Sequence, residues 1–440
     1  MTSSFYGGVA QHMNSRNIWY AWPIWLAYAA LAPVAVYSFV NLVVVLLVAA
    51  LGVHGWRGLS RSLSGVQSFT GTEMLVLAGI WSALICTWSL APEDAWGTLL
   101  RLGVLAIAAC AALSGIFDLS AGHLRTLQSI IIASGFILLG IYAFELAFGA
   151  PIAGALKDVY MGDVKPGASQ DFIDRLYIEK SHAKIARGTV ALGALAIPVA
   201  FLLWRRAKDV RLVGLWLATC FVVALFSHMS SVPVALFGAL IAAGVIWFFP
   251  KRGLTILAAG AALFAVLLPL PLQQIDQAER IGLESEGLGV STQHRIQIYN
   301  YTATLIGDRP LTGWGFRAAR QLSDQAPSFI AAGYDAPFND GQTLLPVHPH
   351  NMSLQLWLET GFVGIALFCG ALLLGAWRAD HSSLKVSHRM LIGATGTFLF
   401  AIANLSFGIW QFHWLALIAL SAGAVLVCCH RPRHKMSASD

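Results

Sequence analysis

Twelve apolar runs dominate the chain, each near the ~20 residues that a helix needs to cross the hydrocarbon core of a bilayer. In order they are Ile18 to Phe39, Asn41 to Trp56, Thr72 to Leu90, Trp96 to Phe117, Leu127 to Gly149, Arg187 to Trp204, Leu212 to His228, Ser231 to Phe249, Gly253 to Leu272, Ser353 to Trp377, Met390 to Gly408 and Phe412 to Cys429. With 57% hydrophobic and only 11% charged residues among 440, the chain is too apolar for a water-soluble globule. The fold class that follows is an all-α integral membrane protein of about twelve transmembrane helices. The first two runs form one unbroken stretch that has to be cut between Pro33 and Asn41; a single bent helix there would reverse every later orientation.

Charge placement supports twelve spans with both termini inside. On that count Arg57, Arg61, Arg205, Arg206, Arg252, Arg378, Arg389 and Arg431 fall on the cytoplasmic side. The short outer loops Ala91 to Ala95, Met229 to Ser230 and Ile409 to Gln411 carry no Lys or Arg. That asymmetry follows the positive-inside rule, and it accounts for most of the net charge of +6, so nucleic acid is not an expected partner. The six cysteines all lie within or at the ends of apolar runs and read as small core residues. The first apolar segment is long and flows into a second, so the N-terminal region is expected to be retained rather than cleaved.

Two outer loops are long, Ala150 to Ala186 and Pro271 to Met352. The second is large and partly helical. Thr292 to Ile306 has a helical pattern with Ile296, Tyr299, Ala303 and Ile306 on one face and Thr292 as N-cap. The segment DRPLTGWGF, Asp308 to Phe316, then turns the chain. The expected division is residues 1–270 for helices 1–9 with the loop 150–186, residues 271–352 for the loop carrying the catalytic segment, and residues 353–440 for helices 10–12 and a cytoplasmic tail. No internal repeat of the kind transporters show is visible.

The long loop ends in VHPHNMSLQLWLETGFVG, which places His348 and His350 at the lip of a span. With Asn351 or Ser353 capping the helix that follows, His350 lies beside its positive dipole end, where a second proton on the ring is disfavoured. A neutral imidazole there suits a general base. Two other readings stay open: polar loop histidines that bond the helix end, and a metal site, for which His348 and His350 at i and i+2 lack further ligands at suitable spacing.

Arg101, about a turn and a half into its span, and Arg187, at the head of another, are costly at membrane depth unless they face a cavity or a partner. Together with Arg295 in the loop helix they suit a lipid diphosphate, because guanidinium forks match phosphate oxygens. The plainer readings are snorkelling for Arg187 and an ion pair to Glu359 or Glu145 for Arg101. Arg280, Arg309, Arg317 and Arg320 read as solvated loop charges. Glu359 is too deep to touch the imidazole and reads as a partner for another span, while Gly361 and Gly364 read as a close approach of a second helix.

HPHNMSLQLWLETGFVG resembles the signature of the O-antigen ligase and Wzy-type polymerase superfamily: His350, Asn351, nine residues, then Gly361 and Gly364. ARGTVALGALAIP, from Ala186, is similar to the family's Arg-Gly helix start, with Ala186 where Asn often stands. HRIQIYNYTATLIGDRPLTGWGF, from His294, resembles the loop segment that supplies Arg295 before a Pro-x-x-Gly-Trp-Gly turn. The resemblance implies a metal-independent, cofactor-free transferase in the bacterial inner membrane, working at its periplasmic face and inverting the anomeric carbon. Its donor would be an undecaprenyl-diphosphate-linked glycan and its acceptor a sugar hydroxyl of lipid A-core, with membrane lipids around it. His350 would be the base, with His348 and Asn351 in support, and Arg187 and Arg295 would bind the diphosphate. Arg101 joins them on depth and side alone.

Three rivals share parts of this pattern: a polymerase that extends lipid-linked repeats, a protein O-oligosaccharyltransferase, and a transporter of lipid-linked sugars. The first two share the donor chemistry and differ in acceptor. The third would place charges near the bilayer midplane, whereas the candidates here cluster on one side.

Overall fold

Peptide groups that cannot reach water must pair within their own segment, and each of the twelve apolar runs is mostly or partly helix over its described residues. The computed structural model describes residues 4–52, 72–156, 169–227, 229–274, 290–329 and 343–430. Its helices are α1 (Ser4–Tyr37), α2 (Leu42–Ala50), α3 (Thr72–Cys86), α4 (Pro92–Phe117), α5 (Ala121–Ala147), α6 (Pro151–Leu156), α7 (Gln170–Ile185), α8 (Gly188–Ala207) and α9 (Val210–Leu225). They continue as α10 (Ser231–Phe248), α11 (Gly253–Leu267), α12 (Pro269–Gln273), α13 (Val290–Asp308), α14 (Ala318–Gln325), α15 (Met352–Asp380), α16 (Val386–Leu405) and α17 (Phe412–Cys429). Among the described residues the only β pairing is an isolated bridge between Ser328 and Thr343.

Among the described residues nine helical segments are long and apolar enough to cross a membrane, which makes this a multi-pass membrane protein. Phe39–Ala50, Glu73–Cys86 and Val210–Leu225 are apolar but shorter, at 10–17 residues. At 1.5 Å per residue such helices reach only about 15–26 Å, short of a ~30 Å core. The expected Trp56 and His228 ends of two runs, and Arg57, Arg61, Arg280 and Arg431, lie outside the described residues. The outward faces are apolar: Leu100, Val104 and Ile107 on α4 are 61–70% exposed.

The cut between the first two runs comes at Ser38, followed by a 3-10 turn at Phe39–Asn41. α2 then runs back along α1, so that Gly52 packs against Tyr20 and Ile24. Later contacts sort the helix ends into two groups. At one end Arg205 bonds Cys428 O, Arg206 bonds Ser129, Arg389 bonds Pro250 O and Asp380 accepts from Thr255. At the other, Tyr37 bonds Glu145, Ser89 bonds Phe316 O and Ser231 bonds Ser406. The expected basic residues gather at the first end and the histidines at the second.

Two expectations in the loops need correction. Helix α13 begins at Val290, so Thr292 lies inside its first turn and does not cap it. Gly361 meets a turn rather than a helix. It breaks α15 at φ 63°, and its α-carbon faces the Leu311 carbonyl. Across that break Trp314 N–H donates to Leu358 O (2.8 Å), Gly315 N–H to Glu359 O (3.1 Å) and Phe362 N–H to Pro310 O (2.8 Å). A Cβ on Gly313 would come within 2.6 Å of the Glu359 carbonyl carbon. The Pro-x-x-Gly-Trp-Gly turn is therefore stitched into the opened helix, which supplies the carbonyls that an unbroken helix would have used itself. Gly364 faces the Thr360 side chain of its own helix.

Candidate active site

Asn351 is the N-cap of α15: its Oδ1 accepts from Leu354 N–H at 3.0 Å and its backbone is extended. Its Nδ2 donates to Asn404 O at 3.0 Å, and Asn404 Oδ1 takes both Ser353 N–H (3.1 Å) and Ser353 Oγ–H (2.7 Å). The end of α16 is thus bolted to the start of α15 by buried polar groups, each satisfied. Tyr299 from α13 reaches the same junction, 3.4 Å from both His350 O and Asn404 O.

On this anchor His350 takes φ 53°, a left-handed backbone uncommon outside glycine. That geometry brings its Nδ1 to 3.2 Å from Ser406 O. A carbonyl only accepts, so Nδ1 carries the proton and the neutral ring leaves its lone pair on Nε2. Burial pushes the His350 pKa below the usual imidazole value, and the positive charges of Arg295 and Arg187 push the same way; the Ser406 hydrogen bond opposes them. The ring is neutral at pH 7, the state a general base requires.

His348 stands edge-on to His350, ring centroids 4.3 Å apart, and its Nδ1 accepts His350 N–H at 3.2 Å. Its proton therefore sits on Nε2, 2.8 Å from the Gln411 amide. Gln411 satisfies it by turning its carbonyl oxygen toward the ring. Burial first, then His350, Arg187 and Arg317, push His348 down to about 3, so it too is uncharged.

Arg187 caps the start of α8 next to Gly188, whose α-carbon packs against Ala35 O and, 2.8 Å from where a Cβ would lie, the Tyr142 hydroxyl. That contact explains the Arg-Gly pair: glycine lets the helix start lie on α1 while the arginine stays exposed at the outer rim of the site. Arg295 projects from α13, half-buried. The ion pairs among the described residues engage neither Arg187 nor Arg295. Two guanidiniums without a carboxylate partner thus act on one neutral imidazole. Arg101 is not brought to them: it is exposed on α4, and its charge is not among those that reach either histidine.

Glu359 is fully buried and accepts from Gln355 Nε2 (3.0 Å), Trp410 Nε1 (2.6 Å) and Arg317 N–H (2.8 Å). It joins α15, the turn after Phe316 and the Ser406–Gln411 loop, and does not pair with Arg101; Glu145 bonds Tyr37 instead. Arg317 is no solvated loop charge either. It holds φ 66° and its Nε lies 3.3 Å from Asp94 Oδ2. Arg309 stacks on Trp314 at 4.3 Å. Asn404, Ser406, Gln411, Arg317 and Trp410 were not singled out from the sequence for the site. A polar Asn404 near the outer end of an apolar run was the one available signal.

A family model described as O-antigen ligase matches residues 213–369, a span that takes in Arg295, His348, His350, Asn351, Glu359 and Gly361. Over that segment, about a third of its length, the chain is similar to the O-antigen ligase family. Whole-length relatives cover more of the chain. A protein of Rickettsia typhi provisionally named a polysaccharide ligase is 23% identical over 360 residues, 80% of this chain and 78% of the relative. One of Rickettsia prowazekii with the same provisional name is 24% identical over 356 residues, 78% and 76% of the two chains. A third, of Rickettsia conorii, is 29% identical over 159 residues, 34% of this chain and 35% of the relative. No solved structure matches the chain.

Proposed function

We propose that this chain is a membrane-embedded inverting glycosyltransferase, an O-antigen ligase that moves a glycan from undecaprenyl diphosphate to a sugar hydroxyl of lipid A-core. His350 Nε2 takes the proton of the acceptor hydroxyl. The freed oxygen attacks the anomeric carbon on the face opposite the diphosphate, the bond from that carbon to the diphosphate oxygen breaks, and its electron pair leaves with the diphosphate. Arg187 and Arg295 hold the diphosphate and stabilise the charge it gains. Asn351 and His348 position the base, and Arg101 is left as a contact for the lipid-linked donor along α4. The reaction faces the periplasm, with twelve spans in the inner membrane and both termini cytoplasmic, a topology supported by the basic residues at the opposite end of the bundle.

The observation that carries the reading is the fixed tautomer of His350: Nδ1–H committed to Ser406 O, Nε2 left open, and two guanidiniums beside it without carboxylate partners among the described residues. The relatives provisionally named polysaccharide ligases support transfer to a finished acceptor over repeat polymerisation. The test is reconstitution of the purified protein with undecaprenyl-diphosphate-linked glycan and lipid A-core. Glycan on lipid A-core, with undecaprenyl diphosphate released, is expected. A lengthened lipid-linked glycan would make it a polymerase, and donor moved between leaflets without any new glycosidic bond would make it a transporter.

A further inference from the structure

Beside His348 lies a small cleft of about 30 Å³, open to solvent, that the donor chemistry does not use. Arg317, Arg320, His348, Gln355, Trp410 and Gln411 line it. Formal charge says little, since Glu359 also borders it and Asp94 pairs with Arg317; the hydrogen-bonding capacity says more. The Glu359 and Gln355 side-chain acceptors that line it are taken. Both Glu359 oxygens are bonded, Gln355 Oε1 accepts Ile409 N–H at 3.0 Å, and Asp94 meets Arg317 at Nε.

The donors are open. The Arg317 bond to Asp94 uses Nε alone, and Arg320 is exposed with no ion pair among the described residues. Gln411, once its oxygen faces His348, turns a buried N–H₂ toward the cavity. Arg317 is also held at φ 66° with its N–H on Glu359, a strained backbone that fixes where the guanidinium projects.

We infer that this donor-lined cavity is an acceptor subsite for a sugar bearing an oxyanion, either a phosphate monoester or a carboxylate, held next to the base. Arginine forks bond such groups in pairs, and the edge of Trp410 gives the sugar ring an apolar wall. The inference rests on the transferase reading for the word acceptor, but the binding it describes does not need turnover.

The experiment measures binding of glucose 6-phosphate, glucuronate, glucose and inorganic phosphate to the full chain in nanodiscs, alongside glycan transfer. At least tenfold tighter binding of glucose 6-phosphate or glucuronate than of glucose is expected, and the better of the two identifies the oxyanion. Arg320→Gln and Arg317→Gln should each shrink that gap to below about threefold. Arg187→Gln with Arg295→Gln should leave it intact. Equal binding of glucose and its anionic forms would overturn the inference, as would inorganic phosphate binding as tightly as glucose 6-phosphate, or loss of the gap only in the Arg187/Arg295 variant. An intact gap in a protein that transfers glycan to no sugar would instead overturn the ligase reading.

Discussion

Replacing Asn351 with alanine removes two buried hydrogen bonds one residue away from His350. The cap to Leu354 N–H is worth about 1 kcal/mol. The Nδ2 bond to Asn404 O adds about 1 kcal/mol, because Tyr299 still reaches that carbonyl and it is not orphaned. Together, about 2 kcal/mol favours the docked start of α15, the conformation in which His350 Nδ1 meets Ser406 O. If only that conformation transfers glycan, kcat should fall by about 30-fold. Donor KM should stay within a factor of about two, since Arg187 and Arg295 stand on other helices. Asn351→Ser keeps a good cap and loses only the amide donor, so its loss should be about fivefold. The assay is initial-rate transfer by purified variants, with a thermal-aggregation midpoint to confirm folding. Wild-type kcat in a folded Asn351→Ala protein would refute the claim that this junction positions the base, and equal losses in the alanine and serine variants would refute the division of the energy.

The pH dependence follows from the charges around His350. The base works when neutral, so kcat/KM for donor falls as pH drops through the pKa of His350, which burial and the two arginines hold low. Arg295→Gln takes away one positive charge, raises that pKa and should move the acid limb of the profile to higher pH; no movement, or movement to lower pH, would count against the arrangement. His348→Ala removes the acceptor of the His350 N–H and should lower kcat by about tenfold without abolishing transfer, read in the same assay. Gly361→Ala forces a side chain onto a left-handed backbone facing Leu311 O, and should cut the yield of folded protein on size exclusion far more than Gly140→Ala, whose added Cβ would meet nothing within 4 Å. Chelator should leave transfer unchanged, because guanidiniums hold the leaving diphosphate in this account.

The helices were legible because their cause is local: an apolar run of sufficient length has no other way to satisfy its backbone. The cap at Asn351 and the placement of His350 just outside α15 were legible for the same reason, since capping depends on a few neighbouring residues. What completes the site is not local. Ser406 acts through a backbone carbonyl, which any residue type would supply, and Asn404 reaches Ser353 across 51 positions of sequence. Arg317 read as a solvated charge because nothing in its own segment shows that Asp94 and Glu359 arrive beside it. Gly361 read as a packing glycine because its positive φ is imposed by a turn 46 to 51 residues earlier in the chain. Depth alone marked Arg101, and depth does not say which way a side chain faces.

The central claim is that an unprotonated His350 Nε2, under the charge of two guanidiniums, accepts the proton of the attacking hydroxyl. Single-turnover transfer by purified His350→Gln, at saturating lipid-linked donor, measures it most directly. Glutamine keeps the polar shape and cannot act as a base at pH 7, so donor should bind as in the wild type while the chemical step falls by 10²-fold or more. Glycan delivered to lipid A-core at the wild-type single-turnover rate would contradict the account.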